Sequence, residues 1–357
     1  MPGADDFRLI EGGRTLTRDD LPHRTGVIEV AKAGAAGVLG ALLAGEAWLV
    51  RDPNGEPIPN VEQTDIARVG LQTSGTTGKP KWAVTTLDRL SSNLKPGDGE
   101  QARWLLTFNP GSFAGVQVML SALIGGHVLI APPYGASVTD MAELALREHA
   151  THISGTPTFW RAFLMALGDR PLKPKSVTLG GEAADQAILD ALRARFPDAA
   201  LRHIYATTEL GRIFSVADGQ AGFPAAWLGD GLALSERGTL LVSGKDSGDV
   251  VKVEGDRVLF RGRADAMVNV GGVKVYPEQV EAHLLQLPCV KESYVTAKPS
   301  PITGHILTAE IVSQPFSAEV EATIRAHLAS LPRALRPASI RFVEAVATGA
   351  TGKKLRT

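Results

Sequence analysis

The sequence predicts an α/β protein: a large layered α/β N-terminal domain over residues 1–264 and a small α+β domain over 265–357. Three observations carry this. Short strand-like runs alternate with amphipathic helical patterns through the first two thirds of the chain, as in a layered α/β domain. From Arg257 the texture changes to glycine-marked hairpin signals, alternating strands and two helical stretches. The length of 357 residues, with 44% hydrophobic and 21% charged residues, suits two globular domains with a sizeable core. It argues against a disordered chain or a coiled coil.

In chain order, an Ala- and Gly-rich segment with apolar residues at helical spacing predicts a helix over 27–43, packed closely on a neighbour. A short strand follows at 47–51, then a turn over 52–60 with two prolines and Gly55. The apolar run 67–72 leads into a polar stretch at 73–81. Strands are expected at 104–108, 127–131, 153–155, 176–179 and 202–205, with helices at 139–149, 158–167 and 185–196. The second domain reads as a strand at 258–262, a hairpin-like stretch at 263–276, and a helix from Pro277 to about residue 287, with proline where its missing N–H costs nothing. Strands at 293–297 and 306–312, a helix at 317–330 and a strand at 340–343 complete it.

The charge balance, 37 basic against 38 acidic residues, gives no bulk attraction for nucleic acid or an acidic membrane. One cysteine, Cys289, rules out an internal disulfide, speaks against a thiolate zinc site and reads as a small core residue. His149 and His152 lack a carboxylate or thiol cluster, so a surface or satisfied pair is the better reading than a metal site. The first twenty residues are polar and acidic, without a secretory pattern. No clean apolar run of membrane-spanning length occurs, and a cytoplasmic location is expected.

The most informative segment is Thr73-Ser74-Gly75-Thr76-Thr77-Gly78-Lys79-Pro80-Lys81. It follows an apolar run, as a loop at a strand end would. Its N–H groups and hydroxyls suit phosphate oxygens, glycine allows close backbone approach, and Lys79 and Lys81 add positive charge. It is not a Walker A loop, which needs glycine at the Thr73 position and Ser or Thr at the Pro80 position. Further groups follow in order: Gly180-Gly181-Glu182, Tyr205-Ala206-Thr207-Thr208-Glu209, Ser247-Gly248-Asp249, Gly262-Arg263-Ala264-Asp265 with Val270-Gly271-Gly272, and Gly352-Lys353-Lys354-Leu355-Arg356.

This ordered series resembles the motifs of the adenylate-forming superfamily of acyl-CoA synthetases, luciferases and adenylation domains of nonribosomal peptide synthetases. The resemblance covers roughly residues 67–357. It implies activation of a carboxylic acid by ATP through an acyl-adenylate, followed by transfer to a thiol, in an acid-thiol ligase. The implied cofactors are ATP and Mg²⁺, with CoA or carrier-bound phosphopantetheine as acceptor. By the same resemblance Thr73, Ser74, Gly75, Thr76, Thr77, Gly78 and Lys81 hold phosphates. Gly181 and Glu182 belong to the adenine-contacting turn, Tyr205 is a further nucleotide-binding residue, and Asp249 and Arg263 meet ribose. Thr208 and Glu209 serve catalysis, Glu209 as Mg²⁺ ligand, and Lys353 neutralises charge at the α-phosphate. Asp265 is the pivot of a mobile C-terminal lid, and Gly271 and Gly272 line the thiol path.

The chain departs from the family pattern in places. It is short ahead of Thr73, which implies an N-terminally shortened member. Ser112 stands before Gly115 where His or an aromatic is usual. Asn269 and Gln279 replace the commoner Lys and Glu, and 347–350 lacks the usual Pro and Thr. Acyl-pocket candidates are Phe108, Ser112, Phe113, Val116, Thr156, Pro157, Gly180, Thr207 and Ile213. They mix apolar and small polar groups, which favours an aryl or medium acyl acid. A second carboxylate would call on Arg212 or Arg161. Two alternatives stand beside CoA ligation: loading of an acyl carrier protein, and a catalytically reduced nucleotide-binding protein. A homodimer is compatible with either.

Overall fold

The computed structural model describes residues 4–59, 68–73, 81–97, 99–207 and 211–346. They divide into two compact units. One holds the described residues up to Gly181 together with Arg195–Ser215, and the other holds Glu182–Ala194 and the described residues from Val216.

The first unit is built on an eight-stranded sheet. Its spatial order is Gly211–Val216, Ala200–Thr207, Ser176–Gly180, His152–Gly155, Arg103–Leu105, Val128–Ala131, Arg8–Glu11 and Arg14–Leu16. From Ala200–Thr207 to Arg8–Glu11 all neighbours are parallel, and Arg14–Leu16 closes the edge antiparallel. Parallel neighbours need crossover connections, and helices Phe113–Ile124, Val138–Arg147, Pro157–Leu167 and Gln186–Arg195 lie between the strands in chain order. Their starts are encoded locally. Ser112 accepts from the Gly115 N–H, Ser137 and Asp140 form a capping box, and Thr156 caps a helix with Pro157 in its first turn. Val128–Ala131 is buried along its whole length, as befits a central parallel strand covered on both faces.

The same unit carries a four-stranded sheet, Gly26–Glu29, Ala47–Val50, Arg68–Thr73 and Lys81–Thr86. The first two strands are parallel and are joined by helix Val30–Ala44. The expected helix at 27–43 is thus a strand followed by a helix, and Gly34 interrupts the helix at φ 64°. Glu11 repairs the interruption: its carboxylate accepts from the Ala35 N–H at 2.7 Å and the Ala36 N–H at 3.1 Å. The core of this unit gathers Leu9, Val38, Leu39, Leu42, Leu49, Leu71, Val116 and Leu120, each at most 1% exposed.

The second unit contains a five-stranded antiparallel sheet ordered Phe223–Pro224, Arg257–Arg263, Lys245–Glu254, Thr239–Val242 and Leu232–Leu234. Arg257 fastens the 218–222 turn, donating to Asp218 Oδ2 at 2.7 Å and to the carbonyls of Gln220, Ala221 and Gly222. After a 3-10 turn at Ala264–Ala266 come the hairpin Val268–Val270/Val273–Val275 and helix Pro277–Leu284. The long hairpin Val290–Ser300/Gly304–Ser313, helix Ala318–Ala329 and strand Ser339–Phe342 follow. Val275, Val280, Leu284, Val295, Ile311 and Ile324 form their shared core, against which Cys289 packs half-buried.

Candidate functional site

Thr73 ends one strand and Lys81 begins the next, and the two are cross-strand partners. Ser74, Gly75, Thr76, Thr77 and Gly78, at the centre of the glycine and threonine segment, lie outside the described residues. The strands that carry this segment are anchored by groups that sequence reasoning passed over. Gln72 is 3% exposed. Its Oε1 accepts from the Arg51 and Asp52 N–H groups at 2.7 and 2.9 Å, and its Nε2 donates to the Asp52 carbonyl at 3.0 Å. Arg51 Nη2 donates to the Gln72 carbonyl. Burial lowers the Arg51 pKa from its ordinary value, opposed by Tyr134 and Asp52. The available signal was an amide closing an apolar run directly before Thr73.

The parallel register aligns Leu105 with Ile153, Gly155 with Leu179 and Gly180 with Ile204. The residues that follow these strands therefore emerge at one carboxyl edge, where ligands of open α/β sheets bind. Gly180 and Thr207 are the last residues of their strands, and Thr156 and Pro157 open a helix just beyond the third. Gly181 follows at φ 82°, and Glu182 is half-buried. Tyr205 stacks on Phe214, with centroids 5.1 Å apart and planes at 26°. Ile213 is half-buried on the strand that carries Phe214.

The remaining pocket candidates separate. Val116 is fully buried and Phe108 is 8% exposed, both within the hydrophobic core. Ser112 is committed to its helix cap: it accepts from the Gly115 N–H at 3.0 Å and donates to the Asn109 carbonyl at 2.7 Å. Phe113 is partly buried against the core. Asn109, not singled out from the sequence, organises this turn. Its Oδ1 accepts from the Gly111 N–H at 2.9 Å, and its Nδ2 donates to the Tyr134 hydroxyl at 3.2 Å.

In the second unit two motifs meet. Asp249 and Arg263 are direct cross-strand partners, with Arg263 Nη1 3.3 Å from Asp249 Oδ1. The same guanidinium donates to both oxygens of Asp265, Nε at 3.0 Å and Nη2 at 3.3 Å, and to the Ser247 carbonyl. Gly248 makes this possible. It sits at φ 74°, and a Cβ there would lie 2.9 Å from Arg263 Nη2. The Gly248 N–H and then the Thr239 hydroxyl hold the Asp246 carboxyl below the usual carboxylate range. The result is a guanidinium flanked by two carboxylates, whose acceptor oxygens suit the hydroxyls of a vicinal diol.

Gly271 and Gly272 form the two-residue connection of the hairpin in which Val270 faces Val273. Their φ values, 60° and 89°, are those a type I′ turn requires at both positions. Thr208, Glu209 and Lys353 lie outside the described residues. Among the described residues no group of three His, Cys, Asp or Glu is placed to hold a metal. His149 is exposed, while His152 packs on Trp104 at 4.8 Å and contacts Thr151 Oγ1 through Nδ1 at 3.0 Å. No described helix is long and apolar enough to cross a membrane.

Comparison with known proteins places the chain. It is 28% identical over 312 residues to an N-(5-amino-5-carboxypentanoyl)-L-cysteinyl-D-valine synthase of Amycolatopsis lactamdurans, covering 71% of this chain but only 8% of that synthase. It is 27% identical over 348 residues to a 2-succinylbenzoate–CoA ligase of Bacillus velezensis, covering 84% of this chain and 70% of the ligase. With a feruloyl-CoA synthase of an Amycolatopsis species the identity is 26% over 407 residues, covering 98% and 79%. Among solved structures, the o-succinylbenzoate CoA synthetase of Bacillus subtilis in complex with its acyl-adenylate intermediate superposes with a TM-score of 0.64 at 20% identity, covering 98% of this chain and 94% of that one. The amide bond synthetase of Marinactinospora thermotolerans gives 0.67 at 17% identity, covering 99% and 96%. These likenesses establish the adenylate-forming fold. A model of the AMP-binding enzyme C-terminal domain matches residues 279–353. Since the model of the AMP-binding enzyme itself matches residues 15–230, more than half of the sequence, the chain belongs to the AMP-binding enzyme family.

Proposed function

We propose that this protein activates a carboxylic acid with ATP and passes the acyl group to the thiol of CoA. In the first half-reaction a carboxylate oxygen attacks the α-phosphorus, the bond to the β-phosphate breaks, and acyl-adenylate and pyrophosphate result. In the second, the thiol sulfur attacks the acyl carbon, the thiol proton leaves to solvent and AMP departs. The substrate supplies the first nucleophile, so the chain's task is alignment and charge compensation. The observation that carries this reading is the Asp249–Arg263 pair: strand pairing brings two separate motifs side by side, with a carboxylate and a guanidinium suited to ribose hydroxyls.

In this reading residues 73–81 bind the β- and γ-phosphates and Tyr205 and Gly181 flank adenine. Thr207 and Gly180 border the acyl group, and Lys353 compensates charge at the α-phosphate. Glu209 would hold Mg²⁺, which when bound supplies charge neutralisation between phosphates. The chain divides functionally near Asp265, the residues beyond it forming the lid. An aryl acid is the preferred substrate class, supported by similarity to a feruloyl-CoA synthase and to 2-succinylbenzoate–CoA ligases. Similarity to peptide synthetases, tyrocidine synthase 3 among them, supports the second reading, in which a carrier-bound phosphopantetheine is the acceptor.

The test is ATP–pyrophosphate exchange across a library of carboxylic acids, followed by thioester analysis with CoA or a phosphopantetheinylated carrier. Exchange with aryl acids and thioester on CoA is the expected result. Thioester on the carrier alone selects the second reading. Nucleotide binding without acid-dependent exchange would leave a catalytically reduced nucleotide-binding protein.

A further inference from the structure

We infer that Gln72 and Arg51 are positioning residues for the phosphate segment: they clamp its root, so that affinity for ATP depends on them although neither reaches the nucleotide. This rests on the proposed binding of ATP phosphates by residues 73–81.

Gln72 directly precedes Thr73 and faces Trp82 across the strand pair, one step from the Thr73–Lys81 pairing. Both residues hold the same stretch of chain. Gln72 makes three hydrogen bonds through its amide to the backbone of Arg51 and Asp52, and the Trp82 indole donates to the Glu56 carbonyl at 2.9 Å. The 51–56 stretch is thereby a buttress, fixed against the last residues of one strand and the first of the next. A strand of this sheet needs only an apolar side chain to be stable at such a position. A buried amide with both its oxygen and its nitrogen engaged specifies geometry instead.

Arg51 extends the clamp. One guanidinium nitrogen holds the Gln72 carbonyl. Its aliphatic stem lies beside Gly111, where a Cβ would be 3.0 Å from Arg51 Cγ. Gly111 belongs to the Asn109-organised turn before helix Phe113–Ile124. Arg51 therefore connects the root of the phosphate segment to the turn bordering the acyl candidates. Its Nε is buried without a hydrogen-bond partner among the described residues, which carries a desolvation cost. A side chain fixed at both ends transmits position, and small errors in the position of a reacting phosphate are expensive in rate.

The test uses Gln72→Leu, Arg51→Met, their double variant and the conservative Arg51→Lys, each assayed by ATP–pyrophosphate exchange and thermal unfolding. Gln72→Leu and Arg51→Met should each raise KM for ATP about tenfold while KM for the acid changes less than about twofold. The double variant should fall well short of about one hundredfold, since both act through one anchor. Arg51→Lys, which keeps a charged donor for the Gln72 carbonyl, should recover most of the loss. If Gln72→Leu does not fold, the Arg51→Met and Arg51→Lys pair carries the same reading. An unchanged KM for ATP in the folded variants, or an equal rise for both substrates, would overturn the inference and leave the ATP reading standing. Absence of exchange in the unaltered protein would overturn both.

Discussion

Arg263 donates to Asp249 and to both oxygens of Asp265, so replacing Asp249 leaves the guanidinium tethered. Asp249→Asn therefore isolates the carboxylate proposed to accept from ribose. Hydrogen bonds to charged groups are worth about 1.5–3 kcal/mol, which translates to a rise of roughly 10–100-fold in KM for ATP at unaltered melting temperature. An unchanged KM removes Asp249 from the nucleotide site. His152 supports a different measurement. Its pKa falls to about 4, first through burial and then through His127, Arg202 and Lys175, with Glu100 opposing. The unfolded chain, titrating near 6.5, takes up the proton first as pH falls. The contribution of neutral His152 is therefore complete above pH 6.5 and is lost progressively towards pH 4. Discounted for partial exposure, the loss is about 1–2 kcal/mol. Melting temperatures followed between pH 7 and pH 4 should fall less steeply in His152→Gln, and an identical slope would exclude the residue.

Helix Val30–Ala44 is an element whose pattern was legible and whose start was not. Apolar spacing does indicate a helix there, but the strand Gly26–Glu29 ahead of it carries the same apolar texture. The break at Gly34 is compensated by Glu11, which lies 24 residues from Ala35 in sequence. No local signal encodes a cap supplied from another strand. Glu11→Ala should cost about 1–2 kcal/mol, the loss associated with removing a helix N-cap. It should lower the melting temperature by a few degrees without altering KM for either substrate; an unchanged melting temperature would remove the capping role. Buried parallel strands such as Val128–Ala131 were readable as continuous apolar runs, and the helices expected at 139–149 and 158–167 are found at 138–147 and 157–167, started by the caps Ser137 and Thr156. The strand Lys245–Glu254 was not readable. It carries Lys245, Asp246, Asp249, Lys252 and Glu254, is mostly half-buried or exposed, and contains a positive-φ glycine. Antiparallel strands with one solvated face lack the apolar continuity that marks a parallel strand.

At the scale of the molecule, the resemblance brought Asp249 and Arg263 to one ligand, but the sequence showed neither their direct ion pair nor the Arg51–Gln72 clamp, whose members are 21 residues apart. Such contacts depend on strand register, which the chain specifies only when folded. The single cysteine packs half-buried on the core of the C-terminal segment, so the proposed thioester takes its sulfur from the acceptor. In the proposed reading the two half-reactions use two arrangements of the residues beyond Asp265, and Asp265→Pro separates them. Asp265 lies in the 3-10 turn Ala264–Ala266, and 3-10 turns generally hold φ at about −50° to −70°, a range that a proline accepts. The arrangement that forms the adenylate should survive, with ATP–pyrophosphate exchange within about threefold of the unaltered protein. If the proposed second arrangement turns about φ at this residue, the proline ring blocks it, so thioester formation should fall at least tenfold. Asp265→Ala supplies the contrast: it removes the same contact with Arg263 but leaves φ unrestricted, so both half-reactions should persist. Loss of thioester formation in Asp265→Ala as well would assign the effect to the lost ion pair. Full thioester formation in Asp265→Pro would move the pivot elsewhere in the chain.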